Sequence, residues 1–218
     1  MMKKLAVISL LLTSCASYSF NVVADMNSEL LDIQHQWVKV NYELTDQAQE
    51  QGFEQLVSEI TQFQQTYSDK AEGYIWLGII KSSYAGPKGG SGAHGLAKEA
   101  KVALEKALLL DETALDGSAY TSLGTLYSKA PGWPIGFGDD EKAAELLSKA
   151  IKINSKGIDA NYFYGQYLYD EKKYSDAKTY LEMANRAPAR AERPLADQYR
   201  HQEIDQLLVK VNKKLKNK

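Results

Sequence analysis

The sequence predicts an all-α fold in which short helix pairs stack into an α-solenoid. The first observation is helical periodicity, because residues of the central stretch 117–155 recur three and four positions apart. The residues concerned are Tyr120, Leu123, Gly124 and Tyr127 in one segment, and Ala143, Leu147 and Ala150 in the next. Two short helices cannot bury such stripes alone, so we expect the pair to have neighbours on both sides.

The second observation is that the same plan repeats along the chain. Matching residues are Tyr74, Leu77, Gly78, Ala100, Leu104 and Ala107 upstream, and Asn161, Tyr164, Gly165, Leu168, Ala177, Leu181 and Ala184 downstream. Ala150 and Ala184 are 34 residues apart. Gly124 and Gly165 are 41 apart, which becomes 34 once the seven inserted residues 132–138 are removed.

A 34-residue period of helix–turn–helix units is the signature of tetratricopeptide repeats, and the chain resembles this family over residues 71–189. The resemblance implies three repeats, each with a helix A followed by a helix B, at 68–113, 114–155 and 156–189. Insertions between helices A and B are expected in the first two repeats. The predicted fold is therefore a short tetratricopeptide-type solenoid with further helices at both ends.

Composition limits the class of protein. The chain has 218 residues, of which 44% are hydrophobic and 25% charged, as in one ordinary soluble domain. Its net charge of −2 gives no reason to expect binding to nucleic acid, which depends on the neutralisation of phosphates.

Residues 1–24 resemble an export signal. Lys3 and Lys4 precede an apolar run at 5–12, followed by small residues. The run is too short to span a bilayer as a helix. We therefore expect a chain that works outside the cytoplasm.

Two cleavage sites remain open. Residues 12–15 resemble a bacterial lipobox, in which removal of 1–14 would leave a lipidated Cys15 as the mature N-terminus. Residues 22–24 resemble an ordinary signal-peptidase site. The protein is expected to be periplasmic, and Cys15 would anchor it to the inner leaflet of the outer membrane. Because Cys15 is the only cysteine, no internal disulfide is expected.

The segment 26–67 predicts a helical hairpin that is either a degenerate repeat or an N-terminal cap. Asn27 or Ser28 can cap its first helix, and Thr45 or Asp46 its second. The second helix repeats the spacing of the B helices at Leu56, Ile60 and Phe63.

The two insertions have different compositions. Residues 85–95 include five glycines and predict a flexible solvent loop. A phosphate-binding loop is not expected there, because a helix and not a strand precedes Lys88, and glycine rather than serine or threonine follows it directly. The loop 131–138 alternates Pro and Gly with Trp133, Ile135 and Phe137, and Asp139 or Asp140 can cap the helix that follows. This loop either packs on the array or presents a surface, and packing is preferred.

The segment 190–218 predicts a terminal capping helix near 195–215 with a basic tail. Such a helix covers the exposed end of a solenoid core. All the arginines lie close to it, at Arg186, Arg190, Arg193 and Arg200. We expect them to lock the cap by pairing with Glu192, Asp197 and Glu203, and the alternative is an anionic partner.

No catalytic constellation is evident in the sequence. His35, His94 and His201 lie in different units without ligands at metal-binding spacing. Nucleophile elbows, zinc-protease helices and dinucleotide fingerprints are absent. We therefore expect neither enzymatic activity nor a metal or cofactor.

The family resemblance implies that binding residues project from the A helices into a concave groove. At these positions lie Ile75, Ile79, Thr121, Thr125, Tyr162, Gln166 and Tyr169. They lack the Lys, Asn and Arg set with which tetratricopeptide proteins clamp a C-terminal carboxylate.

These observations favour a non-enzymatic scaffold or adaptor of the cell envelope. It would hold a protein or peptide in the groove or on the edge formed by Trp133 and Phe137. The alternative is a ligand-binding accessory lipoprotein, similar to the tetratricopeptide-like T-components of solute transporters, with a pocket near the A–B loops. Homo-oligomerisation is compatible with both hypotheses.

Overall fold

The computed structural model describes residues 15–217, and the side chains of residues 26–217. This part of the chain is all-helical and contains no strand, which confirms the predicted all-α fold. Its helices are α1 (Cys15–Tyr42), α2 (Asp46–Thr66), α3 (Ala71–Lys88), α4 (Gly90–Leu110), α5 (Ala114–Lys129), α6 (Asp140–Ile153), α7 (Ile158–Asp170), α8 (Tyr174–Asn185) and α9 (Pro194–Lys216).

Consecutive helices pack against one another in the manner of a solenoid. The pairs are α1 with α2, α3 with α4, α5 with α6, and α7 with α8, and α9 packs on α8. Each of the three segments predicted as a repeat contains one of these pairs. We call α1, α3, α5, α7 and α9 the A helices.

Glycine–leucine contacts join the two helices of each central pair. A Cβ atom added to Gly78, Gly124 or Gly165 would lie 2.5, 2.8 or 2.9 Å from the Cγ atom of Leu104, Leu147 or Leu181. No side chain fits at that distance, so glycine is required for the close approach. The flanking alanines are completely buried, namely Ala100, Ala107, Ala143, Ala150, Ala177 and Ala184. The small residues of the repeat pattern therefore set the spacing within each pair.

The predicted flexible loop at 85–95 is wrong. Helix α3 ends at Lys88 and α4 begins at Gly90, so that only Gly89 lies between them. The additional turn of α3 lies against α2, because Lys88 pairs with Glu50 and Glu54. Just before this turn, Tyr84 stacks on Phe53 with ring centroids 5.4 Å apart. Gly89 adopts a φ of 60°, which its missing Cβ permits, and this reverses the chain in one residue.

The helix boundaries bear out some of the predicted caps. Asn27 and Ser28 lie inside α1, so neither is a cap as predicted. Thr45 occupies the N-cap position of α2, but its side chain makes no capping hydrogen bond. The side chain of Asp139 does cap α6, by accepting from the Lys142 amide. Helix α9 includes the whole of the terminal helix predicted near 195–215.

The predicted signal lies largely outside the described residues, which begin at Cys15, the first residue of α1. Cleavage and lipidation therefore stay predictions. Among the described residues, none of the helices combines the length and the apolar character that crossing a membrane requires.

The A helices form a closed layer. Contacts run from α1 to α3, α5, α7 and α9 in turn, and α9 then contacts α1 again. At this closure the rings of Tyr42 and Tyr199 stack with centroids 4.6 Å apart. Ala196 joins the hydrophobic cluster formed by α1, α2 and α3. The solenoid is therefore closed by its own C-terminal helix.

Candidate interaction surfaces

The predicted groove residues are largely covered. Ile75, Thr121 and Tyr162 are buried, and Ile79, Thr125, Gln166 and Tyr169 are half-buried. Ile75 packs in a cluster with four alanines, which are Ala71, Ala107, Ala114 and Ala119. An open groove lined by these seven side chains is therefore not what the fold contains.

Intramolecular contacts account for most of these polar side chains. The Thr125 hydroxyl donates to the carbonyl oxygen of Thr121 at 2.8 Å. Gln166 donates to the Tyr162 hydroxyl at 3.4 Å, and the Arg200 guanidinium lies 4.4 Å above the Tyr162 ring. The groove prediction is corrected on two grounds: Ile75 packs against alanines of neighbouring helices, and α9 packs on α7, where Arg200 covers Tyr162.

A charged network fixes α9 on α7, and Asp159 lies at its centre. The Asp159 carboxylate accepts from Arg190 Nη1 at 2.6 Å and from Arg200 Nε at 2.8 Å. Arg190 also donates to Asp197, and Arg200 to Glu203. Pairing of the arginines with Asp197 and Glu203 is therefore confirmed for two of them.

The central role of Asp159 was missed, and so was the position of Glu192. Asp159 is distant in sequence from the arginines. The only signal for it is that the arginines outnumber the three acidic residues predicted to pair with them. Glu192 forms no ion pair with the described residues. Its carbonyl oxygen instead lies 2.6 Å from His35 Nε2 on α1.

Burial and charge oppose each other in this network. Burial by itself raises the pKa of Asp159, but the charges of Arg200 and Arg190 hold that pKa well below its usual range. Burial likewise lowers the pKa of Arg200, and the charge of Asp159 more than reverses this effect. Burial also raises the pKa values of Tyr42 and Tyr162 to about 12. Asp159 and Arg200 therefore stay charged at neutral pH, and Tyr42 and Tyr162 stay neutral.

Arg193 belongs to the same region but pairs differently. Its guanidinium lies 5.2 Å from the centre of the Trp76 ring, and its Nε atom is buried without a hydrogen-bond partner. Burial and the charge of Arg190 lower the pKa of Arg193 to about 10. Arg186 is exposed. Most contacts of the arginine cluster are therefore made within the molecule, where they join α9 to α7 and close the A-helix layer.

The α5–α6 loop, residues 131–138, is the most exposed apolar feature in the described part of the chain. Trp133 is 89% exposed and Ile135 74% exposed. Phe137 is half-buried and contacts Tyr127 edge-on, with ring centroids 5.6 Å apart. The preferred packing prediction is correct for Phe137 and wrong for Trp133 and Ile135.

Backbone contacts hold this loop in one compact conformation. The Gly138 amide donates to the Pro131 carbonyl at 2.8 Å, and the amides of Ile135 and Gly136 both donate to the Gly132 carbonyl. A Cβ atom at Gly136 or Gly138 would lie 2.3 or 2.0 Å from a carbonyl oxygen across the loop. The loop is too tight to fold all of its large side chains inward, and it projects two of them into solvent.

No group of His, Cys, Asp and Glu among the described residues is arranged to hold a metal ion. Two open surface depressions have volumes of about 370 and 200 Å³. One lies at the end of α9, and the other between α1 and α2. Neither is lined by a residue of the α5–α6 loop.

No family model matches the chain, and no curated protein matches it. The resemblance to tetratricopeptide repeats therefore rests on the spacing of residues alone. The features that bear on function are therefore the A-helix layer with its arginine cluster, and the exposed α5–α6 loop.

Proposed function

We propose that the protein is a non-enzymatic scaffold of the bacterial cell envelope, of tetratricopeptide-repeat type, which binds another protein through its α5–α6 loop. The observation that carries the proposal is the exposure of Trp133 and Ile135 on a structured loop. Tryptophan is the side chain most enriched at the energetic centres of protein interfaces. A loop that is already ordered loses little conformational freedom on binding, which favours affinity.

The loop is preferred to the groove because the predicted groove residues of α3 and α5 are buried or half-buried, and because Arg200 of α9 covers Tyr162 of α7. A peptide lying along α7 would have to displace α9, whose residues Ile204 and Val211 are completely buried. It would also have to separate Arg200 from Asp159. Binding at the outer edge requires neither change.

Location in the envelope rests on residues 1–24. Their resemblance to an export signal supports secretion, and lipidation of Cys15 would add an anchor at the N-terminus of α1. In this proposal the membrane is contacted only through that anchor. The alternative, a small-molecule accessory protein, has less support because one of the two A–B connections that would frame its pocket is helical.

Site-specific photo-crosslinking tests the proposal. A photoreactive amino acid replaces Trp133 in cells, and in a matched strain it replaces Leu109, an equally exposed apolar residue (82%) at the end of α4. We expect a protein adduct from position 133 and little from position 109. Equal labelling from both positions, or none from position 133, would contradict the proposal.

A further inference from the structure

The α5–α6 loop combines its apolar tip with unpaired negative charge. Asp139, Asp140 and Glu141 follow it directly, are exposed, and form no ion pair with the described residues. The lysines on either side are already paired. Lys129 Nζ lies 2.5 Å from Asp170, and Lys142 Nζ lies 3.0 Å from Glu145. The surroundings of Trp133 are therefore suited to a positively charged partner.

The end of α9 has the opposite character. Its lysines form no ion pair with the described residues, and they are Lys210, Lys213, Lys214 and Lys216. Val209, which directly precedes Lys210, is 70% exposed. Val209, Lys213 and Lys216 lie on one helix face and line the open depression of about 370 Å³. Helix polarity favours lysine at this end, but it does not explain an exposed valine among the lysines.

Helix α9 runs antiparallel to α8. Asn185, at the end of α8, contacts His201 through a 2.9 Å hydrogen bond near the start of α9. From His201 to Lys216 the helix advances about 22 Å, whereas α8 measures only about 17 Å from Asn185 back to Tyr174, at 1.5 Å per residue. The basic end of α9 therefore reaches past the α7–α8 turn.

The α5–α6 loop lies on the same edge of the molecule. Lys129, just before the loop, pairs with Asp170 at the end of α7. The Tyr167 hydroxyl, also near the end of α7, donates to the carbonyl oxygen of Asp140 at 3.2 Å. The acidic apolar loop and the basic apolar helix end are thus two patches on one edge.

We propose that the partner of the α5–α6 loop is a second copy of this chain, docked edge to edge. In this dimer Trp133 and Ile135 cover Val209 of the other copy, and residues 139–141 face its lysines. A two-fold axis gives each copy both roles, so that the two contacts are equal and the assembly closes. The inference rests on the proposed function and names the partner of the same site.

Charge favours this partner over a membrane surface. Anionic lipids attract basic segments, whereas the side chains beside Trp133 are acidic and unpaired. The basic end of α9 supplies the complementary charge together with an apolar contact. Lipid or another protein at the loop would be a different outcome of the tests below.

Sedimentation velocity with reciprocal charge reversal tests the dimer. The full chain carries Cys15→Ser so that no lipid anchor contributes. One variant adds Asp140→Lys and Glu141→Lys, and the other adds Lys213→Glu and Lys216→Glu. We expect the unreversed protein to dimerise, and each reversed variant alone to bind itself at least tenfold more weakly. An equimolar mixture of the two reversed variants should recover the dimer, because both contacts then join opposite charges.

These outcomes separate the inference from the proposed function. A protein that stays monomeric, a dimer that neither reversal weakens, or a mixture that fails to recover would overturn the inference. Photo-crosslinking from position 133 to a different protein, with a monomeric purified chain, would leave the scaffold function intact. Absence of adducts together with a monomer would remove both. Circular dichroism of each variant controls for folding, since the four charge-reversed side chains are exposed.

Discussion

At the scale of the residue, the three A-helix glycines decide how closely each helix pair packs. Gly124 admits the Leu147 side chain into a space that a methyl group would fill. Glycine weakens a helix by about 1 kcal/mol relative to alanine, so its presence in α5 requires a compensating contact. The interlocked leucine provides that contact.

Gly124→Ala should destabilise the protein by about 1–3 kcal/mol, because the new Cβ would lie 2.8 Å from Leu147 Cγ and 3.1 Å from the Leu147 backbone nitrogen. Gly95→Ala is the matched control, since Gly95 is also helical but a Cβ there meets nothing within 4 Å. The control should be neutral or slightly stabilising. Urea denaturation followed by circular dichroism measures both changes, and equal midpoints for the two variants would contradict the packing argument.

At the scale of the element, α9 combines an apolar face with a charged start. Ile204, Leu207 and Val211 pack in the same cluster as the buried residues of α8. The N-terminal half instead depends on Arg190 and Arg200, which share Asp159. The hydrogen bonds within these ion pairs are directional, so this half fixes the orientation of α9 across α7. The apolar face supplies most of the burial.

Asp159→Asn should lower the stability at pH 7 by about 2 kcal/mol, between the values for exposed and for buried ion pairs. The pKa of Asp159 is lower in the folded than in the unfolded chain. Its stabilising contribution is therefore fully present above the unfolded value of about 4, and it is lost as the pH falls through the folded pKa. Melting temperatures between pH 2 and pH 7 should consequently depend less on pH in the variant.

Glu145→Gln is the control for this titration. Hydrogen bonds from Lys149 and Lys142 lower the pKa of Glu145 to about 2, but the pair is exposed on α6. Solvent screens such pairs, so the control should change the melting temperature little. An acid profile of Asp159→Asn that coincides with the parent profile would show that Asp159 does not couple α9 to α7.

At the scale of the whole molecule, closure changes how the helix pairs depend on one another. In an open solenoid each pair contacts only its neighbours, and stability is a sum of local terms. Here α9 also contacts α1 through the Tyr42–Tyr199 stack, and the segment before α9 does so through the contact of His35 with the Glu192 carbonyl. The first and last units therefore support each other directly.

Tyr199→Ala should separate the unfolding of the two ends of the chain. With Trp133→Phe as background, fluorescence reports only on Trp37 and Trp76, which are buried in the N-terminal helix pairs, whereas circular dichroism reports on all helices. The two probes should give one midpoint in that background and two midpoints after Tyr199→Ala. Tyr180→Ala is the control, because its aromatic contact with Tyr164 joins only α7 and α8. Coincident midpoints in Tyr199→Ala would argue against closure.

Much of the fold could be predicted from residues close together in sequence. The spacing of Gly124, Leu147 and Ala150 depends only on helical geometry, and it predicted both the helix pairs and the buried face of each. The same reasoning failed at 85–95, because glycine content indicates a loop and the support from Phe53 on α2 is not visible locally. The prediction of an open groove failed because it depends on contacts between helices distant in sequence. Ile75 packs against alanines of neighbouring helices, and Arg200 of α9 covers Tyr162.

By itself, the sequence determined the all-α class, the paired helices and the positions of the small residues that let them interlock. These properties come from interactions within one or two helical turns, which periodicity records. Only the tertiary structure decided that α9 meets α1, that Asp159 serves two arginines, and that Trp133 and Ile135 face solvent. These outcomes depend on the curvature accumulated over four helix pairs, and no local pattern specifies where the two ends of such an array will meet.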